Sequence, residues 1–214
     1  MEFMLSSSEI RVLASLIEKE FSTPDYYPLS LNALTNACNQ KTNRDPVVAY
    51  DEPTVLAALQ GLKEKRLVWE SVSGRVAKYE ETFIKTKNLS RSEAAALCEL
   101  MLRGPQTMGE IKAHAERMYA FTDMDEVAAV IESLCDMGYT LKLPRLAGHK
   151  EPRYVQLLAV EPEDVPPGGP VQGSAPRLPE QAERIEALEQ EINTLRQELS
   201  ELKQNFLDFR NQFD

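Results

Sequence analysis

The residue types that most often do chemistry are sparse in this 214-residue chain and poorly spaced for it. Its two histidines, His114 in "EIKAHAERM" and His149 in "AGHKEP", lack partners at metal-ligand or triad spacing. Both are expected in solvent. The cysteines Cys38, Cys98 and Cys135 lie far apart inside apolar helical patterns, which predicts buried thiols rather than a disulfide framework or a zinc site. No phosphate-cradling glycine loop, GxSxG or HExxH is present. Asp123 and Asp125 precede a helix, where carboxylates cap and complement the helix dipole. No enzymatic activity, cofactor or metal is expected.

Binding chemistry is better represented. The segment "NACNQKTNRDP" gathers Asn36, Asn39, Gln40, Lys41, Asn43 and Arg44, a set of amide donors, amide acceptors and cations. Such a set can hydrogen-bond phosphate, bases or a peptide backbone, and it can equally bond the carbonyls of its own loop. Pro46 bars continuation of a helix, and Asn39 and Asn43 suit turns. The stretch from Asn39 to Asp51 is long for a connection inside a compact motif, and such loops often carry a role.

The elements that would position this segment come from an internal repeat. "SEIRVLASLIEKE" (Ser8–Glu20) recurs as "SEAAALCELMLRG" (Ser92–Gly104), and "VLAALQGLKEKRLV" (Val55–Val68) recurs as "VAAVIESLCDMGYT" (Val127–Thr140). Apolar residues at i, i+4 and i+7 mark both third helices, and second helices are expected over Leu29–Cys38 and Met108–Met118. "RVAKYE" and "EPRYVQ" read as strands after a turn. Each copy reads helix, helix, helix, strand, turn, strand, the order of the winged-helix variant of the helix-turn-helix. The expected fold is mainly α with small β-hairpin wings: module 1 over 1–89, module 2 over 90–160.

In module 1 the outward face of the third helix is expected to include Thr54, Ala58, Gln60, Gly61 and Lys65, with Lys63 and Arg66 beside it and Arg75 and Lys78 on the wing. With Asn39, Gln40, Lys41, Asn43 and Arg44 these cations form a candidate duplex-DNA footprint, although base-reading side chains are few. The corresponding helix of module 2 presents Asp125, Glu126, Glu132 and Asp136, which phosphates repel, so packing, dimerisation or contact with a partner protein is the expected role there. Net charge is −10 overall, but residues 161–214 hold 5 basic and 12 acidic side chains (−7), whereas Lys41 to Arg91 holds 10 and 7 (+3).

Residues 161–180 are rich in proline and glycine and read as a linker. From 181 to 214, Ile185, Leu188, Ile192, Leu195, Leu199 and Leu202 fall at heptad spacing, with flanking charges that favour a parallel homodimeric coiled coil; folding back onto the globular part is the alternative. The N-terminus lacks the pattern of a signal peptide and no apolar run reaches about 20 residues, so a cytosolic location without membrane contact is expected.

"LIEKEFSTPDYYPLSLNALTNACNQKTNRDPV", with "KYE" and "LCELMLRGPQTMGEI", resembles the YceH family of uncharacterised bacterial proteins over most of residues 8–158. The resemblance implies a tandem winged-helix fold and no assigned reaction or ligand. The favoured expectation is a non-enzymatic DNA-binding protein, in keeping with a transcriptional regulator, that binds duplex through module 1; the alternative is a protein-interaction scaffold with no direct DNA contact.

Overall fold

The structure is a computed structural model that describes residues 4–72, 76–145 and 151–159. The expected linker, the heptads, Arg75 and His149 lie outside the described residues. Within them the chain is mainly helical with two small antiparallel sheets.

Helix α1 (Ser7–Ser22) begins at a capping box: the Ser6 hydroxyl accepts from the Glu9 amide while the Glu9 carboxylate accepts from the Ser6 amide at 2.8 Å. Residues Glu9 to Ile17 are all buried. A helix covered on every side must run through the centre of its body, and α1 does. A short 3₁₀ turn (Pro24–Tyr26) leads to β1 (Leu29–Ser30), and Ser30 caps α2 (Leu31–Cys38), so this helix starts two residues later than its pattern suggested. Asp51 caps α3 (Glu52–Glu64), with Pro53 in the first turn where its missing N–H costs nothing. The hairpin β2 (Val68–Ser71) and β3 (Lys78–Glu81) follows, and the sheet order β1-β3-β2 leaves β2 at one edge.

Helix α4 (Phe83–Lys87) has no counterpart in the repeat and was not foreseen. Phe83 is fully buried and meets Tyr139 of the second copy edge-on at 6.0 Å. The second copy then repeats the plan: α5 (Arg91–Arg103) from a Ser90/Glu93 capping box, α6 (Met108–Ala115) from a Thr107/Glu110 capping box, α7 (Met124–Asp136) from Asp123, and the hairpin β4 (Thr140–Lys142) and β5 (Tyr154–Gln156). Helix α6 ends at Ala115, short of the expected Met118.

Helix α5 is buried from Ala94 to Leu102 and packs on α1, so the first helices of the two copies form the middle of one continuous core. Small side chains allow the approach: Ala14 lies where the Cys98 thiol reaches its carbonyl at 3.3 Å. Burial pushes the Cys38 and Cys98 thiols up, so both stay protonated, whereas Cys135 is only half-buried, against Thr140 Oγ1 at 3.2 Å. The Leu5 amide donates to the Leu158 carbonyl at 2.8 Å, tying the start of the first copy to the end of the second. No helix among the described residues is long and apolar enough to cross a membrane.

Candidate binding surfaces and the cleft between the copies

The Asn-rich loop is an anchored structure. Asn39 follows the last turn of α2 and latches the far end of the loop, its Nδ2 donating to the Tyr50 carbonyl and its Oδ1 accepting from the Tyr50 amide, each at 2.7 Å. Asn43 takes a left-handed conformation (φ 61°), which asparagine tolerates, and this turns Arg44 inward. The Arg44 side chain is 0% exposed. Its two terminal nitrogens reach Glu18 Oε1 and Oε2 at 3.2 and 2.6 Å, and they also donate to the carbonyls of Ala37 and Asn43 and to Gln40 Oε1. Burial alone would raise the Glu18 carboxyl. The hydrogen bonds and charge of Arg44, with Lys19 beside them, outweigh it and hold the group below the usual carboxylate range.

The same loop grips the second copy. The Asp45 amide donates to the Leu102 carbonyl at 2.9 Å, and Arg103 reaches Asn43 Oδ1 at 2.6 Å while its Nε holds Glu99 at 2.9 Å. Arg11 donates to the Pro46 carbonyl at 2.7 Å. The expectation that Arg44 contacts a phosphate is therefore corrected: its guanidinium is an internal bolt, and withdrawing it would leave the largely buried Glu18 carboxylate with Lys19 as its one ionic partner among the described residues. Asn39 is likewise committed to its own loop, and Gln40 to Arg44 and to Lys19, which donates at 3.3 Å.

Much of the remaining footprint is also tied down. Lys63 pairs with Glu70 of the hairpin, and Lys65 pairs with Glu9 of α1. Ala58 and Gly61, expected outward, face α1 instead: Ala58 is 3% exposed, and a Cβ on Gly61 would lie 2.2 Å from Glu9 Oε1. The solvent face of α3 is Glu52, Leu56, Ala57, Gln60 and Glu64. Exposed Lys41 and Arg66 and half-buried Lys78 have no hydrogen-bonded or ionic side-chain partner among the described residues. Arg66 sits at φ 57° just past the end of α3, where a left-handed residue lets the Leu67 amide return to the Leu62 carbonyl; the second copy places Gly138 (φ 76°) there.

On α7, Asp125, Glu132 and Asp136 are exposed as expected, but Glu126 is drawn into the cap, accepting from the Tyr119 hydroxyl at 2.5 Å and from Thr122. The first hairpin carries a feature the sequence reading passed over: Trp69, Val72 and Val76 are 60%, 74% and 55% exposed. The signal was available in "LVWESVS", where Val68 must face the core and alternation therefore puts Trp69 outside.

A polar cleft of about 470 Å³ opens where the copies meet. The C-terminal turns of α1 (Glu18, Lys19), the loop (Gln40 to Asn43), Glu99 of α5, His114 of α6 and Arg117 just past it line it. His114 is not simply solvated. Its Nδ1 lies 2.6 Å from Oε1 of buried Gln106, whose Nε2 donates to the Glu99 carbonyl at 2.9 Å. That second bond makes the Gln106 oxygen the acceptor, so His114 Nδ1 carries a proton and Nε2 is the ring's remaining polar atom. Burial, then the nearby Arg103 charge, lowers the imidazole's proton affinity, with Glu110 opposing, so the ring is neutral at neutral pH.

These features define a duplicated, mainly helical protein whose copies are joined by a charged loop, and no cluster of potential metal ligands occurs among its described residues. Comparison with known proteins gives the family. A model described as "Protein of unknown function, DUF480" matches residues 5–149. The chain is 50% identical over 218 residues to a UPF0502 protein of Geotalea daltonii, covering 100% of both chains. It is 48% identical over 195 residues to a UPF0502 protein of Solibacter usitatus, covering 89% of this chain and 92% of the relative. The chain belongs to this uncharacterised bacterial family, in keeping with its resemblance to YceH.

Proposed function

We propose that the chain is a non-enzymatic, cytosolic interaction protein: two winged-helix modules on a shared core, dimerised through the heptads beginning at Ile185, with a partner protein docking on the first hairpin. The observation that carries this reading is the character of the exposed surfaces. The solvent face of α3 is acidic and apolar, and Lys63, Lys65 and Arg44 are paired with Glu70, Glu9 and Glu18 of the same chain. Phosphates would meet Glu52 and Glu64 there. The hairpin beside it offers Trp69, Val72 and Val76 and an edge of β2 that no strand among the described residues pairs with, which suits an extended segment adding a strand and burying apolar side chains. The partner segment that fits this surface is extended and apolar on the side that meets Trp69, Val72 and Val76.

Binding of duplex DNA by module 1 is the second reading. Arg66 favours it: an exposed cation is kept in a strained left-handed position where the second copy uses glycine, and Lys41 and Lys78 carry no ion-pair partner among the described residues.

One experiment separates the two. A photo-crosslinking residue at position 69 should trap one dominant partner in cells, and position 142, also exposed on a hairpin, should not. That partner, purified, should form a stoichiometric complex that Trp69→Asp abolishes without lowering the melting temperature. The interaction reading fails if position 69 traps nothing. It also fails if purified protein binds mixed-sequence duplex with log K falling against log salt by about 0.9 per contact, for about three or more contacts, and Lys41, Arg66 and Lys78 substitutions weaken that binding.

A further inference from the structure

We propose that the cleft between the two copies binds a small phosphorylated polyhydroxy metabolite, of the sugar-phosphate class, independently of any macromolecular partner. The charge of the cleft points to an anion. Its two carboxylates are already satisfied: Glu18 is held by both terminal nitrogens of Arg44 and by Lys19 at 3.1 Å, and Glu99 by Arg103 at 2.9 Å. Two further lining cations, Lys41 from the loop and Arg117 from the turn just past α6, have no hydrogen-bonded or ionic side-chain partner among the described residues. In a protein of net charge −10 this is a locally cationic recess, walled on several sides, where a phosphate gains more than at an open surface.

The rest of the lining selects the body of the ligand. It is polar apart from Met118, and no Phe, Tyr or Trp among the described residues lines it to sandwich a nucleobase. Instead Thr42, Asn43 and His114 Nε2 offer hydroxyl, amide and imidazole groups to ligand hydroxyls, with Nδ1 of the same ring fixed by Gln106. A volume of about 470 Å³ accommodates a compact metabolite and lies in the usual range of small-molecule sites. The site is also braced: Gln40 is held by Arg44 and Lys19, and Asn43 by Arg103 at 2.6 Å.

The test is isothermal titration calorimetry on the full chain with ribose 5-phosphate, glucose 6-phosphate and glycerol 3-phosphate, against ribose, inorganic phosphate and mixed-sequence duplex DNA. At least one of the three phosphate esters should bind below about 1 mM, as small metabolites typically do, and more tightly than inorganic phosphate, with ribose undetectable. Lys41→Gln and Arg117→Gln should each weaken that ester by about tenfold or more, the scale of one charge-assisted contact, while Lys142→Gln on the second hairpin leaves it unchanged. All three side chains are exposed, so folding is preserved. The proposal is overturned if none of the three esters binds, if both cleft variants bind as the wild type does, if ribose or inorganic phosphate binds equally well, or if duplex DNA displaces the ester. Failure here leaves the hairpin reading standing, since the crosslinking at position 69 does not pass through the cleft.

Discussion

Replacing Arg44 by methionine removes the guanidinium that joins the loop, α1 and the last turn of α2, and leaves the Glu18 carboxylate without its main partner. The Arg44 side chain is 0% exposed and that of Glu18 12%, so solvent cannot take over. Breaking a buried pair from one side typically costs about 3–5 kcal/mol, because the survivor keeps its desolvation penalty. Against a usual domain stability of about 5–15 kcal/mol, that lowers the urea midpoint sharply. Glu18→Gln should cost less than Arg44→Met, since the amide still accepts hydrogen bonds. The double variant should fall well short of the sum, with a coupling of about 2–3 kcal/mol. The pH dependence supplies an internal check. The folded-state pKa of Glu18 lies below its unfolded value, so its contribution is complete above the unfolded value, near 4.5, and is lost as pH falls through the folded one. The gap between wild type and Arg44→Met should therefore be widest at neutral pH and should narrow in strong acid. Urea unfolding of both single variants and the double variant at pH 7 and at pH 3 measures all of this. A cost below about 1 kcal/mol at pH 7, the value of an exposed pair, would refute the claim that Arg44 is an internal anchor and would return it to the surface footprint.

Three other outcomes follow from the same geometry. Burial pushes the Glu81 carboxyl up to about 7, opposed by the Ile84 amide and reinforced by the adjacent Glu20, so stability is gained as pH falls from about 7 toward 4.5. Glu81→Gln should raise the unfolding free energy at pH 8 by about 1–2 kcal/mol, after allowance for partial exposure and sharing of the proton with Glu20, and by little at pH 5; equal effects at both pH values would discount the pair. Arg66→Gly should stabilise by about 1 kcal/mol in chemical denaturation by relieving the left-handed backbone, whereas a loss would show that the Arg66 side chain holds something. Gly61→Leu should cost about 2 kcal/mol or more by driving the Glu9 carboxylate off both Lys65 and the Ser6 cap, and Gly61→Ser should also destabilise, though less, because its Cβ meets the same carboxylate oxygen; thermal melts of the two variants compare them directly.

The repeat was legible because it rests on local chemistry. A Ser or Thr followed three residues later by Glu opens α1, α5 and α6, Asp caps α3 and α7, and apolar spacing sets each helix length. What the spacing could not supply was which face each helix turns to which neighbour. Ala58 and Gly61 looked outward on an isolated helical wheel, yet α1 lies over them, because α1 is buried all round and must be wrapped by α3 as well as α5. The loop was recognisable by its length and asparagines. Its purpose was not, since the partner of Arg44 is 26 residues away on α1 and its second anchor, Leu102, lies in the other copy. Helix α4 escaped notice because "FIKTK" is too short to establish a helical period, and only Phe83 against Tyr139 gives it a reason to form.

The departures between the two copies say where this protein differs from a plain duplication. Glu9 and Glu93 both close a capping box, but Glu93 is also met by the Ser133 hydroxyl at 2.7 Å, where Glu9 is met by Lys65 across the gap that Gly61 leaves. At the end of the third helix the second copy uses Gly138 and the first an arginine. Three residues further on, the exposed side chain is Trp69 in the first copy and Leu141 in the second. The connection between second and third helices is the long, bolted loop in the first copy and the shorter run from Glu116 to Asp123 in the second. Each change costs the first copy something a purely structural repeat would avoid: a glycine inside a helix, a strained arginine, an exposed tryptophan, a buried ion pair. They fall on one copy, around the hairpin and the cleft. The proposed docking hairpin and most of the proposed cleft site lie on this copy, as expected if local rules are broken to keep a site, and Glu99, His114 and Arg117 of the second copy complete the wall of the cleft.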